Sequence, residues 1–169
     1  MTSIVKKLTR AGIIAGLYTV LVFPVISVAS GFIQFRPSEA LTLLPAFFSE
    51  SVFAVAIGCL LANVITGCQL LDIIFGSLVT LLAGVCTHFI GKLKVNKHAK
   101  FVLSGLPPVL LNAFLLPVIW YFAYGELLSL YLYNVISLLI SQTVSVYLLG
   151  GIVYYSVDKF KGLNNPLFE

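Results

Sequence analysis

Residues 127–157 read LLSLYLYNVISLLISQTVSVYLLGGIVYYSV, a run of 31 residues without a formal charge. Four more uncharged stretches precede it: residues 11–35, 51–71, 73–91 and 101–125. A helix needs about 20 mostly apolar residues to cross a bilayer, so each stretch can cross. The chain is 60% hydrophobic and 9% charged, more apolar than the surface of a water-soluble protein allows. The composition therefore predicts an all-α integral membrane protein.

A sixth apolar segment is much shorter than the others. Residues 40–49, between Glu39 and Glu50, number only 10. As an α-helix they would rise about 15 Å, half of a hydrocarbon core about 30 Å thick. The segment is expected to cross only where neighbouring helices shelter it.

The basic residues predict the orientation. Nine of the ten lie in three segments: Lys6, Lys7 and Arg10; Lys92, Lys94, Lys97 and Lys100; Lys159 and Lys161. Positively charged loops stay in the cytoplasm, and only an even number of spans between these segments puts all three on that side. Six spans satisfy this condition if the short segment is counted. Both termini are then cytoplasmic, and Arg36, residues 66–69 and Glu126 lie outside.

A single membrane domain covering residues 1–169 is expected. Its spans are predicted at roughly residues 11–33, 38–49, 51–66, 70–91, 101–123 and 127–157, in a six-transmembrane-helix bundle with a short second helix. The first apolar run is longer than the core of a signal peptide, which favours an uncleaved helix. The basic excess follows from topology, so no nucleic-acid partner is expected.

Polar residues are sparse and fall mainly on the predicted outer side. The outer group is Gln34, Arg36, Glu39, Asn63, Gln69, Asp72 and Glu126. Asn112, Asn134 and Gln142 lie deeper, in the fifth and sixth spans, and the candidate ligand contacts are Arg36, Glu39, Asn63 and Asp72 with these three amides. Ionisable groups inside a membrane usually face a cavity or one another. The grouping predicts an outward-facing pocket for a small polar molecule. The alternatives are a structural Arg36–Glu39 pair, Asp72 as an N-terminal helix anion, and interhelical hydrogen bonds by the asparagines.

Small residues repeat every four positions on the first helix. Ala11 and Ala15 form one pair, and Gly12 and Gly16 form another. This spacing places each pair on one helix face, where a second helix can approach closely. Either internal packing or a partner protein accounts for the pattern.

Catalytic motifs are not recognised. His88 and His98 lie in or beside the lysine-rich loop, far from the outer carboxylates, and there is no Walker A loop or G-x-S-x-G elbow. The three cysteines lack metal-ligand spacing and are interpreted as apolar fillers, with a Cys59–Cys68 disulfide as the alternative. The sequence predicts neither an enzyme, nor a metal, nor a cofactor. A solute binder of this size without an ATPase motif needs a partner that supplies energy.

Four segments carry a resemblance to a known family. FRPSEALTLLP (35–45), GCLLANVI (58–65), LLDIIFGSLVTLLAG (70–84) and LPPVLLNAF (106–114) resemble the QueT family of queuosine-precursor transporters. The resemblance implies a substrate-binding S component of an energy-coupling-factor (ECF) transporter, multi-pass in a bacterial plasma membrane. Its implied partners are a transmembrane coupling subunit, which docks at Ala11 and Ala15, and two cytoplasmic ATPases. The implied ligand is 7-aminomethyl-7-deazaguanine.

The implied ligand suggests roles for the polar residues. A carboxylate of Glu39 or Asp72 would accept from the donor edge of the deazaguanine, and Arg36 or Asn63 would donate to its carbonyl. Stacking on the ring is expected from Phe32, Phe35, Trp120 and Tyr124. Ser141-Gln142 stands where the family pattern suggests Gly-Glu, which leaves another vitamin, such as cobalamin, as an alternative ligand. A non-transporting membrane scaffold is the alternative outside transport.

Overall fold

The computed structural model describes residues 3–25 and 36–161 and forms an all-helical bundle; no strand occurs within these ranges. Its main helices are numbered in chain order. They are helix 1 (Ser3–Val20), helix 2 (Pro37–Ala46), helix 3 (Ser51–Ile65), helix 4 (Leu70–Gly91), helix 5 (Lys97–Tyr124) and helix 6 (Leu128–Lys161). Phe32, Phe35 and residues 26–33 of the predicted first span lie outside the described residues.

Local sequence explains where helix 5 begins and ends. The side chain of Asn96 accepts a hydrogen bond of 2.7 Å from the backbone N–H of Ala99 and so caps the first turn. Gly125 follows the last turn with φ 66°, a left-handed conformation that favours glycine. Helix 6 stays helical throughout, although residues Val144–Leu149 wind as a π-helix.

Helix 2 lies at the centre of the bundle. It contacts every other main helix, and the eight residues Ser38–Pro45 are all buried. The predicted α-helix is wrong in its winding, because the whole segment is a 3₁₀ helix. At about 2.0 Å per residue, ten residues span about 20 Å rather than 15 Å. The short segment therefore spans a longer distance along its axis than an α-helix of the same number of residues.

The 3₁₀ winding explains how one short helix contacts all five other main helices. With three residues per turn, side chains at i and i+3 align in straight columns. Leu41 and Leu44 pack in one apolar cluster with residues of helices 1 and 3. Leu43 packs in another with residues of helices 5 and 6. The third column contains Glu39, Thr42 and Pro45 and carries the polar contacts.

The basic segments gather at one end of the bundle, which we call the basic end. Arg10 forms a 2.7 Å salt bridge with Glu50 and so joins helix 1 to the connection between helices 2 and 3. His98 contacts the hydroxyl of Tyr155 at 2.8 Å and joins the start of helix 5 to the last turns of helix 6. A Cβ added at Gly91 would lie 2.4 Å from the carbonyl oxygen of Ala46, so the end of helix 4 fits tightly on helix 2.

Three helices are long and apolar enough to cross a membrane: Leu70–Gly91, Lys97–Tyr124 and Leu128–Lys161. Helix 3 is a shorter apolar helix of 15 residues. Helix 1 begins earlier than the predicted span, at Ser3, and includes the basic residues of its first turns. The predicted all-α fold is confirmed for the described residues, whereas the number of spans and the side of the termini stay predictions.

Candidate functional site

Glu39 is the centre of a buried polar cluster. Helix 2 places its side chain inside the bundle, where it is 1% exposed. The hydroxyl of Tyr18, on helix 1, donates a 2.8 Å hydrogen bond to Glu39 Oε1. The other carboxylate oxygen, Oε2, is buried and has no hydrogen-bond partner. A buried carboxylate oxygen without a donor costs free energy, which marks it as a position for a ligand donor.

Helix 5 brings Asn112 to the same carboxylate. Its side chain lies beside Glu39 and is 1% exposed. The contact lies outside hydrogen-bond geometry, so the buried Nδ2 of Asn112 keeps an unused donor. Cys59 and Thr80 complete this interior region from helices 3 and 4. An unused acceptor and an unused donor thus lie side by side.

Arg36 joins this cluster to the end of the bundle opposite the basic end. Its guanidinium interacts electrostatically with the carboxylates of Glu39 and Asp72. The guanidinium carbon also lies 5.9 Å from the ring centroid of Trp120. A cation over the face of an indole is a favourable arrangement. The two charges of the predicted Arg36–Glu39 pair therefore interact electrostatically, together with Asp72, and the structural pair itself stays a prediction.

Asp72 lies in the first turn of helix 4 and is 4% exposed. The hydroxyl of Tyr124 donates to its Oδ2 at 3.1 Å and accepts from the backbone N–H of Gln69. Asn63 approaches from helix 3 and donates to the backbone carbonyl of Asp72 at 3.4 Å. The Asp72 and Asn63 side chains converge beside Gly76, where an added Cβ would meet both within 3.3 Å.

Gln142 is fully buried on helix 6, and neither heteroatom of its amide has a hydrogen-bond partner. Leu138, one turn before it, packs with Ala113, and Val146, one turn after it, packs with Val109. These contacts place Gln142 at the level of Asn112 on helix 5. A buried amide without partners is costly, so this position is a second candidate for ligand contact.

Asn134, by contrast, contacts the connection between helices 5 and 6. Its Nδ2 donates a 2.6 Å hydrogen bond to Glu126 Oε2. The pair lines an open surface cavity of about 350 Å³ whose other lining residues, from Pro117 to Tyr131, are mainly apolar. The predicted ligand contact of Asn134 stays a prediction, although its side chain has a protein partner.

The predicted docking pair of helix 1 faces the interior of the chain. Ala15 is 8% exposed and belongs to an apolar cluster, and Ala11 packs against that cluster. Gly12 and Gly16 are exposed, and a Cβ added at either would meet nothing within 4 Å. These two glycines thus lie on the exposed face of helix 1, and the docking role of the alanines stays a prediction.

Tyr18 is the site residue that the sequence did not indicate. It lies in an apolar helix where tyrosine is ordinary, and its distance of 21 residues from Glu39 hides their contact. A weak signal exists, because Ala11, Ala15 and Tyr18 follow helical spacing on one face. The cysteines are free, and no group of three metal-ligating residues occurs among residues 3–25 and 36–161.

The cluster presents the hydrogen-bonding groups that recognition of a small polar molecule requires. It offers a carboxylate, a guanidinium and two amides; the carboxylate and both amides are buried. Comparison with known proteins gives one family: a family model described as QueT transporter matches residues 8–159. No curated protein and no solved structure shows a significant match to the chain.

Proposed function

The chain belongs to the QueT transporter family, and from this premise we propose that it is the substrate-binding S component of an ATP-driven ECF-type importer. Its proposed substrate is a small polar solute taken from outside, 7-aminomethyl-7-deazaguanine. The observation that carries the proposal is the buried polar group formed by Arg36, Glu39 and Asn112, in which one carboxylate oxygen and one amide nitrogen lack partners.

The chemistry of the deazaguanine matches this group. Its pyrimidone ring carries an N–H donor beside a carbonyl acceptor, and its aminomethyl group is a cation. Glu39 and Asn112 supply the complementary acceptor and donor, while Asp72 supplies a second negative charge. Trp120 offers an aromatic face near Arg36. Gln142 adds an amide in the interior, where a neutral group contributes hydrogen bonds but no charge.

A docking face is part of the proposal. Because Ala11 and Ala15 pack against the interior, the proposal moves docking to the exposed face of helix 1. The coupling subunit is expected to contact Leu8, Gly12, Gly16 and Val20 there, a column of exposed residues at four-residue spacing. Small residues let two membrane helices approach closely, which is the main source of packing energy between them. The two ATPases then act from the basic end, which is the cytoplasmic end in this proposal.

Ligand-dependent thermal unfolding of the purified protein in detergent tests the function. A ligand at 100 times its Kd stabilises the folded state by about 2.7 kcal/mol, which raises the unfolding midpoint by several degrees. 7-Aminomethyl-7-deazaguanine is expected to do so, and adenine at the same concentration is the matched control.

Two other outcomes have distinct meanings. Stabilisation by cobalamin or another vitamin alone would keep the transport function and replace the substrate. A protein that no solute stabilises would support the membrane scaffold and contradict the transporter subunit.

A further inference from the structure

We propose, as a refinement that rests on the proposed function, that Tyr18 sets the specificity of the site by occupying one oxygen of Glu39, so that the site selects a ligand with an N–H group beside a carbonyl. Such an edge is that of a lactam or a cis amide. A ligand edge with two adjacent donors, which a free carboxylate would bind with both oxygens, is not the one selected.

The two oxygens of the Glu39 carboxylate differ in their hydrogen bonding. Oε1 accepts the hydroxyl of Tyr18 at 2.8 Å, in a position where Tyr18 is 2% exposed and Glu39 is 1% exposed. Oε2 has no partner. Because Oε1 already accepts the Tyr18 hydroxyl, Oε2 is the oxygen whose acceptor capacity is entirely unused.

The neighbour of the unused oxygen is a donor. The side chain of Asn112 lies beside the carboxylate, and its Nδ2 is buried without a hydrogen-bond partner. Thr42 strengthens this arrangement, because its hydroxyl donates to the backbone carbonyl of Glu39 at 2.6 Å and holds the helix around it. The pair therefore presents one acceptor and one donor to a common ligand edge.

Hydrogen-bond complementarity makes the Glu39–Asn112 pair selective for one kind of ligand edge. An N–H group of the ligand donates to Oε2, and the adjacent carbonyl accepts from Nδ2. In 7-deazaguanine the N1–H and the C6 carbonyl are such neighbours. The exocyclic 2-amino group would have to share Oε1 with the hydroxyl of Tyr18, so its removal is expected to change affinity little. Replacing the carbonyl by an amine removes the N–H and the acceptor together and leaves two buried polar groups facing wrong partners.

Three compounds separate these edges: 7-aminomethyl-7-deazaguanine, its analogue without the 2-amino group, and its 2,6-diamino analogue. In calorimetric titration of the wild-type protein, loss of the 2-amino group is expected to change the affinity by less than about threefold. The 2,6-diamino analogue is expected to bind with an affinity at least about 100-fold lower. Both results come from unmodified protein, so they do not depend on a variant that folds.

Tyr18→Phe tests the role of the hydroxyl. This change frees Oε1, so the 2-amino group gains an acceptor and its presence is expected to strengthen binding by about tenfold in the variant. Tyr154→Phe is the matched control, because Tyr154 is equally buried but packs in the apolar cluster around Leu43. In the control variant the ratio of affinities for the two compounds is expected to equal that of the wild type.

Several results overturn the inference. An unchanged affinity ratio in Tyr18→Phe, or tight binding of the diamino analogue, contradicts it while the transport function stands. The first result means that the Tyr18 hydroxyl does not set the selection, and the second means that the Glu39–Asn112 pair does not select the ligand edge. If 7-aminomethyl-7-deazaguanine itself does not bind, the proposed substrate is wrong and this inference falls with it.

Discussion

Glu39 joins the ligand site to the packing of the bundle. Its side chain accepts from helix 1 through Tyr18 and interacts with Arg36, while its backbone belongs to the central helix 2. Burying a carboxylate is costly unless charges and hydrogen bonds compensate. The compensation here is incomplete, since Oε2 lacks a donor. The residue therefore has capacity left for a ligand.

Glu39→Gln is expected to weaken ligand binding while the fold is kept. The amide has nearly the same shape, and its oxygen can still accept from Tyr18, but its NH₂ group then faces the donor of Asn112 and the donor of the ligand. A loss of about 2–4 kcal/mol, or roughly 30- to 1,000-fold in affinity, follows. Calorimetric titration of folded protein with 7-aminomethyl-7-deazaguanine measures it.

Glu50→Gln is the control for this change. It alters a carboxylate at the basic end, where Glu50 contacts Arg10, and should leave ligand affinity as it is. If Glu39→Gln binds as well as the wild type and loses only thermal stability, Glu39 is a structural residue and the site lies elsewhere.

Individual site residues were predictable to different degrees. Arg36, Glu39 and Asp72 stand out because a charge in apolar sequence needs a reason, and the structure places them in one electrostatic group. Tyr18 did not stand out, since its hydroxyl has no sequence signature. Asn134 shows another limit, because helical spacing does not reveal that Glu126 folds back to hold it.

At the scale of elements, helix 1 presents two different faces. The Ala11–Ala15 face packs against the bundle, and the face with Gly12 and Gly16 is exposed. Sequence spacing identified both pairs, but periodicity alone cannot say which face turns inward. Packing against helix 3 determines which face of helix 1 turns inward. A Cβ added at Gly58 would meet the carbonyl oxygen of Ala15 at 2.9 Å, so the two helices are in close contact there.

Gly16→Trp is expected to block docking without harming ligand binding. The indole projects from the exposed face and holds a partner helix away, so the coupling subunit recovered by co-purification should fall by about tenfold or more, or about 1.4 kcal/mol. Ligand-induced thermal stabilisation of the isolated variant should match that of the wild type.

The controls use other positions for the same side chain. Leu132→Trp adds an indole to an exposed position of helix 6 and should leave co-purification intact. Ala15→Trp should lower the unfolding midpoint of the isolated protein, because no room exists between helices 1 and 3. Normal recovery of the coupling subunit with Gly16→Trp would show that docking uses a different face.

Helix 2 shows what element prediction misses. Its position and burial could be argued from charge parity and from its apolar residues. Its winding could not, because ten residues are too few for a periodicity test to separate 3.0 from 3.6 residues per turn. Helix 2 also contacts the five surrounding helices. Contacts between segments distant in the sequence are not visible in the local pattern of ten residues.

At the scale of the whole molecule, the charge distribution agrees with the packing. Contacts such as Arg10–Glu50 and His98–Tyr155 hold the basic segments at one end, and Arg36 lies near Trp120 toward the other. Long uncharged runs were enough to predict the helical membrane class. The side of the membrane that each end faces follows from the positive-inside rule and stays a prediction.

Cysteine labelling in sealed cells tests that orientation. In a variant without Cys59, Cys68 and Cys86, a membrane-impermeant maleimide added outside is expected to modify Glu126→Cys and to spare Lys94→Cys. The exposed Lys94 is chosen because the neighbouring Asn96 caps helix 5. Permeabilised cells provide the control, in which both positions should react. Labelling of Lys94→Cys in sealed cells would contradict the six-span orientation.

The straight columns of helix 2 make its length as important as its composition. One residue inserted between Pro37 and Glu39 would turn Glu39 by about a third of a turn relative to the column that follows Arg36. The carboxylate would then point where an apolar side chain packs, without a single substitution having occurred. Insertions and deletions in this segment should therefore be as damaging as replacing Glu39, whereas the exposed loop around Lys94 should accept them. Tolerance to changes in length is thus a property that separates this short helix from the loops of similar size around it.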